Sequence, residues 1–169
     1  MKLTLIISLL ISYNTLVQRE LTQEQVLKIL PERIKGFNMA EPFRSKQMQM
    51  GTLSYTLYEK KFKRRDKAFQ ILLFDYGKAE IMYRQAIQSS TNHAYVQSDS
   101  VVIQPFEWSG ASGLESYQSK SGQSKISLGI NERFYLNASG NITLQELENV
   151  VKLIDFQKLP KKVKPQSEP

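Results

Sequence analysis

Residues Thr52–Asp75 read TLSYTLYEKKFKRRDKAFQILLFD, and this stretch decides the fold. Leu53, Tyr55 and Leu57 alternate with polar neighbours on the way to Phe62, the period of a strand with one buried face. Lys63-Arg-Arg-Asp-Lys67 is polar and turn-like. Ala68 to Asp75 then reads as a second strand, apolar on both faces toward its end and therefore central in its sheet. Two strands joined by so short a turn predict an antiparallel hairpin with a basic cluster at its tip.

Toward the C-terminus the period changes after Gly77. Ala79, Met82, Tyr83, Ala86 and Ile87 recur at helical spacing and predict a helix from Lys78 to Gln88, stopped by Ser89–Asn92. Val101–Phe106 predicts a strand that Pro105 pushes toward an edge. Trp108–Gly113 reads as a loop, Leu114–Tyr117 as a short strand and Ser119–Gln123 as a tight connection. Ile126, Leu128 and Ile130 alternate cleanly, and Phe134, Leu136 and Ala138 do so again after the Asn131-Glu132 turn. Asn137–Asn141 reads as a loop. Thr143-Leu-Gln-Glu146 is a capping box that opens a final helix with Leu144, Leu147, Val150, Val151 and Ile154 on one face.

Toward the N-terminus, Thr22-Gln-Glu-Gln25 has the same capping spacing. Val26, Ile29 and Leu30 give the short helix behind it an apolar face, and Pro31 ends it. Gly36-Phe37 leads into an extended connection through Pro42. The whole order predicts an α+β fold: a single antiparallel β-sheet of about five to six strands packed with about three α-helices.

The first residues set the expected compartment. Met1-Lys2 carries one positive charge, and Leu3 to Ile11 is an almost unbroken apolar run. That is the layout of a secretory signal peptide over residues 1–17, with cleavage after Val17. The run is short for a transmembrane span, which takes about 20 apolar residues. An uncleaved N-terminal anchor and a buried terminal element are the rival readings. Residues 18–160 then form a single domain and 161–169 a polar, proline-bearing disordered tail. The expected location is exported, periplasmic or secreted, in a bacterium, with no transmembrane span once the leader is removed.

Composition narrows the chemistry. The chain of 169 residues has no cysteine, which excludes a thiol nucleophile, a thiolate zinc site, an iron–sulfur cluster and a lipid anchor attached through cysteine. His93 is its one histidine and sits in the loop Thr91-Asn-His-Ala94, without local partners for general-base work. No glycine-rich phosphate loop, nucleophile elbow or calcium loop is present. The sequence therefore predicts no catalytic residue, no metal ligand and no cofactor, and a protein that is not an enzyme. Trp108, the only tryptophan, is expected to pack rather than to serve as a ligand platform.

The net charge of +7 is concentrated at two places, one of them the hairpin tip. Lys60, Lys61, Lys63, Arg64, Arg65 and Lys67 interleave with one aromatic, Phe62, and form a possible polyanion-binding module for acidic polysaccharide or anionic lipid headgroups. The plainer reading is a charged end that keeps a sheet edge soluble. Nucleic acid is an unlikely partner in an exported protein.

Four short motifs are spread over residues 30–159: Leu30-Pro31 with Ile34 and Gly36-Phe37, Gly113-Leu-Glu-Ser-Tyr117, Arg133-Phe134, and Leu153-Ile-Asp-Phe156 with Leu159. Together they resemble a group of small exported bacterial proteins of unknown function, many of them lipoproteins or periplasmic. The resemblance implies a compact α+β domain in the cell envelope and brings no catalytic residues. The expected function is thus non-catalytic, by binding or structural support in the envelope, with another envelope component or an anionic surface as partner. The alternative is a chaperone-like carrier that holds a lipid or lipidated client on an apolar sheet face, in a pocket lined by Leu53, Tyr55, Phe69 and Ile71.

Overall fold

The computed structural model describes residues 20–91 and 95–162. Residues 1–19, where the signal peptide is expected, residues 92–94 with His93, and residues 163–169 of the expected tail lie outside the described residues. Within them the chain runs α1 (Gln23–Ile29), β1 (Asn38–Met50), β2 (Leu53–Arg64), β3 (Lys67–Asp75), α2 (Glu80–Thr91), β4 (Val96–Gln97), β5 (Val101–Trp108), β6 (Ala111–Gln118), β7 (Gln123–Ile130), β8 (Phe134–Gly140) and α3 (Leu144–Val151). A 3-10 turn at Phe156–Lys158 follows.

The α+β expectation holds, but the sheet has eight strands rather than five to six. Its order is β1-β2-β3-β8-β7-β6-β5-β4, antiparallel throughout. The main addition is β1, whose first residues the sequence reading assigned to an extended connection. It is an edge strand with most of its side chains exposed, so it lacks the alternation that one buried face imposes. The two-residue β4 is too short to leave a pattern. The supposed loop Trp108–Gly113 is a tight hairpin: β5 continues through Trp108, and β6 restarts at Ala111. Between them Ser109 and Gly110 both take positive φ, as a primed two-residue turn requires.

The register sorts the side chains onto two faces. The first carries Tyr58, Lys60 and Phe62 of β2, Phe69, Ile71, Leu73 and Asp75 of β3, Leu136 and Ala138 of β8, and Ile126 and Leu128 of β7. These residues are buried together with Val26, Ile29 and Leu30 from α1 and Leu147, Val150 and Val151 from α3. Both helices start in the capping boxes read from sequence, at Thr22 with Gln25 and at Thr143 with Glu146. The Tyr58 hydroxyl donates to the Leu21 carbonyl at 2.7 Å and fixes the approach of α1.

The second face is covered differently. The chain leaves β3 in the middle of the sheet and must reach β4 at the far edge, and α2 makes that crossing. It passes over β8, β7 and β6. Gly129 provides its seat: a Cβ there would collide with the Ile87 side chain and lie 2.9 Å from the Tyr83 hydroxyl oxygen. β1 and β2 lie on the other side of β3, off this route.

Candidate functional site

The six basic residues of the hairpin tip do not form one surface. The pleat of β2 sends Lys60 and Arg64 to one face and Lys61 and Lys63 to the other, while Arg65 sits in the turn at positive φ and Lys67 opens β3. Lys60 points to the first face and is 1% exposed. Its ammonium donates to the carbonyls of Leu30 and Pro31 at 3.4 and 3.1 Å, closing the C-terminal end of α1. Burial pushes its pKa below the usual lysine value, against the pull of Glu32.

Arg64, on the same face, stacks 4.4 Å over the Phe37 ring and pairs with Glu146 Oε1 at 2.6 Å. Lys67 takes Glu146 Oε2 at 3.0 Å. Glu146 thus caps α3 and ties it to the basic turn. Burial pushes its carboxyl up, but the Thr143 N–H, Lys67 and Arg64 outweigh this and bring the pKa down to about 2. Asn141 fastens the turn from the other side, accepting from Ala68 N–H at 2.5 Å and donating to the Asp66 carbonyl at 2.7 Å.

On the second face Lys61 pairs with Glu41 at 3.3 Å and Glu59 at 3.4 Å. Lys63 and Arg65 are exposed and have no carboxylate partner among the described residues. Of six candidate cations, two are left to attract an anion from solution.

A different surface emerges on the second face. Tyr55, Leu57, Leu72, Phe74 and Tyr135 lie there side by side across β2, β3 and β8, each only partly exposed. Their rings interlock: Phe74 is 6.2 Å from Tyr55, 5.8 Å from Tyr135 and 5.8 Å from Tyr76, and Tyr76 is 5.1 Å from Tyr55. Burial, with Tyr55 and Tyr135 close by, pushes the Tyr76 hydroxyl up to about 12 and keeps it protonated at any physiological pH.

Toward the basic turn the same face becomes polar. An open cleft of about 440 Å³ is lined there by Glu41, Lys61, Lys63, Gln70, Gln123 and Ser139, among others. From Phe74 to Gln70 is four residues of strand, about 14 Å at a rise of about 3.4 Å per residue. An aromatic floor leading into a charged, amide-lined cleft suits an amphipathic ligand.

Sequence reading named parts of this floor without assembling it. Leu53 and Tyr55 lie on the second face, whereas Phe69 and Ile71 are buried on the first, so these four do not line one cavity. Tyr135 has no local signal for this role, because its contact with Phe74 depends on β8 pairing with β3, about sixty residues of chain away.

Two further sites of buried charge lie on the first face. Asp75 and Arg133, each 2% exposed, make a two-pronged pair with both contacts at 2.6 Å. Glu115 on β6 is 4% exposed; Gln104 donates to its Oε1 at 2.6 Å, while Oε2 has no partner among the described residues. Burial raises its pKa, and Glu148 adds to the rise against Gln104 and Lys152. In sequence Glu115 looks like an ordinary strand residue, with no local signal of its burial.

Trp108 is 37% exposed, with Lys152 Nζ 5.8 Å from the ring centroid, and so covers an edge of the first face more than it fills a core. Among the described residues no three His, Cys, Asp or Glu side chains gather as metal ligands would. No protein-family model, curated protein or solved structure matches this chain.

Proposed function

We propose that this chain is an exported, non-catalytic domain of the cell envelope that works by binding, and that its binding surface is the second sheet face over β2, β3 and β8. The observation that carries the reading is the aromatic floor of Tyr55, Phe74 and Tyr135, backed by the buried Tyr76 and flanked by Leu57 and Leu72, whose β2 and β3 members lie outside the path of α2 over β6–β8. A contiguous apolar patch rimmed by polar groups marks interaction sites more often than inert surface. The partner class is an amphipathic segment of another envelope component, its apolar side on the rings and its polar side toward Glu59, Lys61 and Lys63. Export rests on the apolar run Leu3–Ile11 behind Lys2.

The test is purification from the native host with and without Leu57→Lys and Leu72→Lys. Both positions are partly exposed, so the fold should tolerate the change. The wild type should carry a bound envelope component that both variants lose, and its mass should begin close to Gln18. Equal retention of that component by the variants, or a full-length protein in the cytoplasm, would remove the proposal. If Lys63→Ser with Arg65→Ser abolishes salt-sensitive retention on heparin, the basic turn is the site instead. An acyl chain as the bound component would favour the carrier reading.

A further inference from the structure

We propose that the outer edge of β1 is a self-pairing surface, at which two copies of this chain join antiparallel about a two-fold axis through Gln47. β1 is the long edge of the sheet, and among the described residues β2 is its only neighbour. Its first half is blunted as natural edges are: Pro42 lacks an N–H, and the register with β2 shifts between Met39 and Glu41 and again between Glu41 and Arg44. From Arg44 the pairing is unbroken, residue by residue, from Arg44 opposite Glu59 to Met50 opposite Leu53. Gly51, at positive φ, then turns the chain.

The regular run is therefore Arg44-Ser-Lys-Gln-Met-Gln-Met50, bounded by a bulge at one end and a turn at the other, and its centre is Gln47. Every residue in it except Met48 is exposed, and Met50 is 60% exposed. Its tip also overhangs the sheet, because β3 first meets β2 at Thr56, opposite Asp75. A second copy would supply the flank that β1 otherwise lacks.

The side-chain pattern selects one register. About Gln47, Arg44 faces Met50 of the second copy, Lys46 faces Met48, Ser45 faces Gln49, and Gln47 faces itself. The cations then lay their methylene stems along methionines on the second face. Amide and hydroxyl groups pair on the first face. Centred on Lys46, the register would oppose two ammonium groups directly; centred on Ser45, it would set Arg44 against Lys46. Both are penalised, as like charges facing across strands are. A register centred on Met48 runs past the Gly51 turn and shortens the ladder. Arg44 and Lys46 thus guard the edge against unrelated strands while admitting its own copy. The one remaining like-charge approach is diagonal, between the two Lys46 residues, so added salt should tighten the association.

The residue on the axis gives a test that few structural roles could mimic. The full chain has no cysteine, so Gln47→Cys has only its own copy to bond with. Directly opposed residues of an antiparallel pair lie about 4.5–5.5 Å apart at Cα, within disulfide reach. Mild oxidation should give a covalent dimer far faster than for Lys120→Cys at an exposed turn. Gln47→Glu and Gln47→Lys should each fold, by circular dichroism, and each self-associate several-fold more weakly than the wild type in sedimentation. Mixed one to one, they should associate at least as well as the wild type. A wild type that sediments as a monomer at high micromolar concentration, cross-linking no faster than the Lys120 control, or charged variants that associate unchanged would each overturn the proposal.

Discussion

The two faces of the sheet are made by the same strands, yet among the described residues one is closed and the other half open. On the first face α1 and α3 bury a set of Phe, Ile and Leu side chains, and each buried charge among the described residues has a defined partner, Glu115 through one of its two oxygens. On the second face α2 covers β6, β7 and β8, and the aromatic residues of β2 and β3 are left to cover one another. The difference follows from connectivity. A crossover covers only the strands between its ends, and the crossover from β3 to β4 never passes β2 or β1.

The largest effect should come from the charge pair buried on the first face. Arg133→Met leaves Asp75 at 2% exposure with the Gly77 N–H as its remaining described partner. We expect a loss of about 3–5 kcal/mol in urea denaturation, partly recovered when Asp75→Asn is added. A loss under about 1 kcal/mol would show that water reaches this site and that the face is less closed than its packing indicates.

Parallel truncations measure the contrast between the faces directly. Leu136→Ala, at a fully buried position, should cost about 2–5 kcal/mol. Leu57→Ala, partly exposed on the second face, should cost about 1 kcal/mol or less. Equal costs would mean that the aromatic floor contributes to the core as much as the helix-covered face does, which would weaken its assignment as a binding surface.

The smallest effect concerns Glu115, whose Oε2 has no partner among the described residues. Burial raises the Glu115 carboxyl above its unfolded value, so its contribution to stability is complete below the unfolded pKa. That contribution is lost as pH rises through the folded pKa. Glu115→Gln should therefore stabilise the protein by about 1 kcal/mol at neutral pH, with the gain vanishing under acid, read as the thermal midpoint against pH. A destabilised variant at neutral pH would show that Oε2 has a partner that matters.

Much of the framework is legible in the sequence because it depends on neighbours a few residues apart. Both capping boxes, the β2–β3 hairpin and the alternation of β7 and β8 are local patterns, and each is found where the residues predict it. The candidate sites are less legible. Six cations in eight residues read as one cluster, but strand alternation divides them between faces and Glu146, eighty residues on, neutralises two. Past Pro42, β1 leaves no strand signature in the sequence, because an exposed edge strand has no buried face to impose a period.

By itself the sequence determined the fold class, the helix starts, the central hairpin and the absence of thiol chemistry, since composition and short-range periodicity are properties of the chain alone. The tertiary structure decided which strands are neighbours, and with that everything that depends on distant residues meeting. β8 inserted beside β3 brings Tyr135 to Phe74 and Phe134 opposite Asp75. The route of α2 then determines which part of the second face is covered. Pairing order and crossover path depend on the free energy of the whole sheet, which no local window of residues contains.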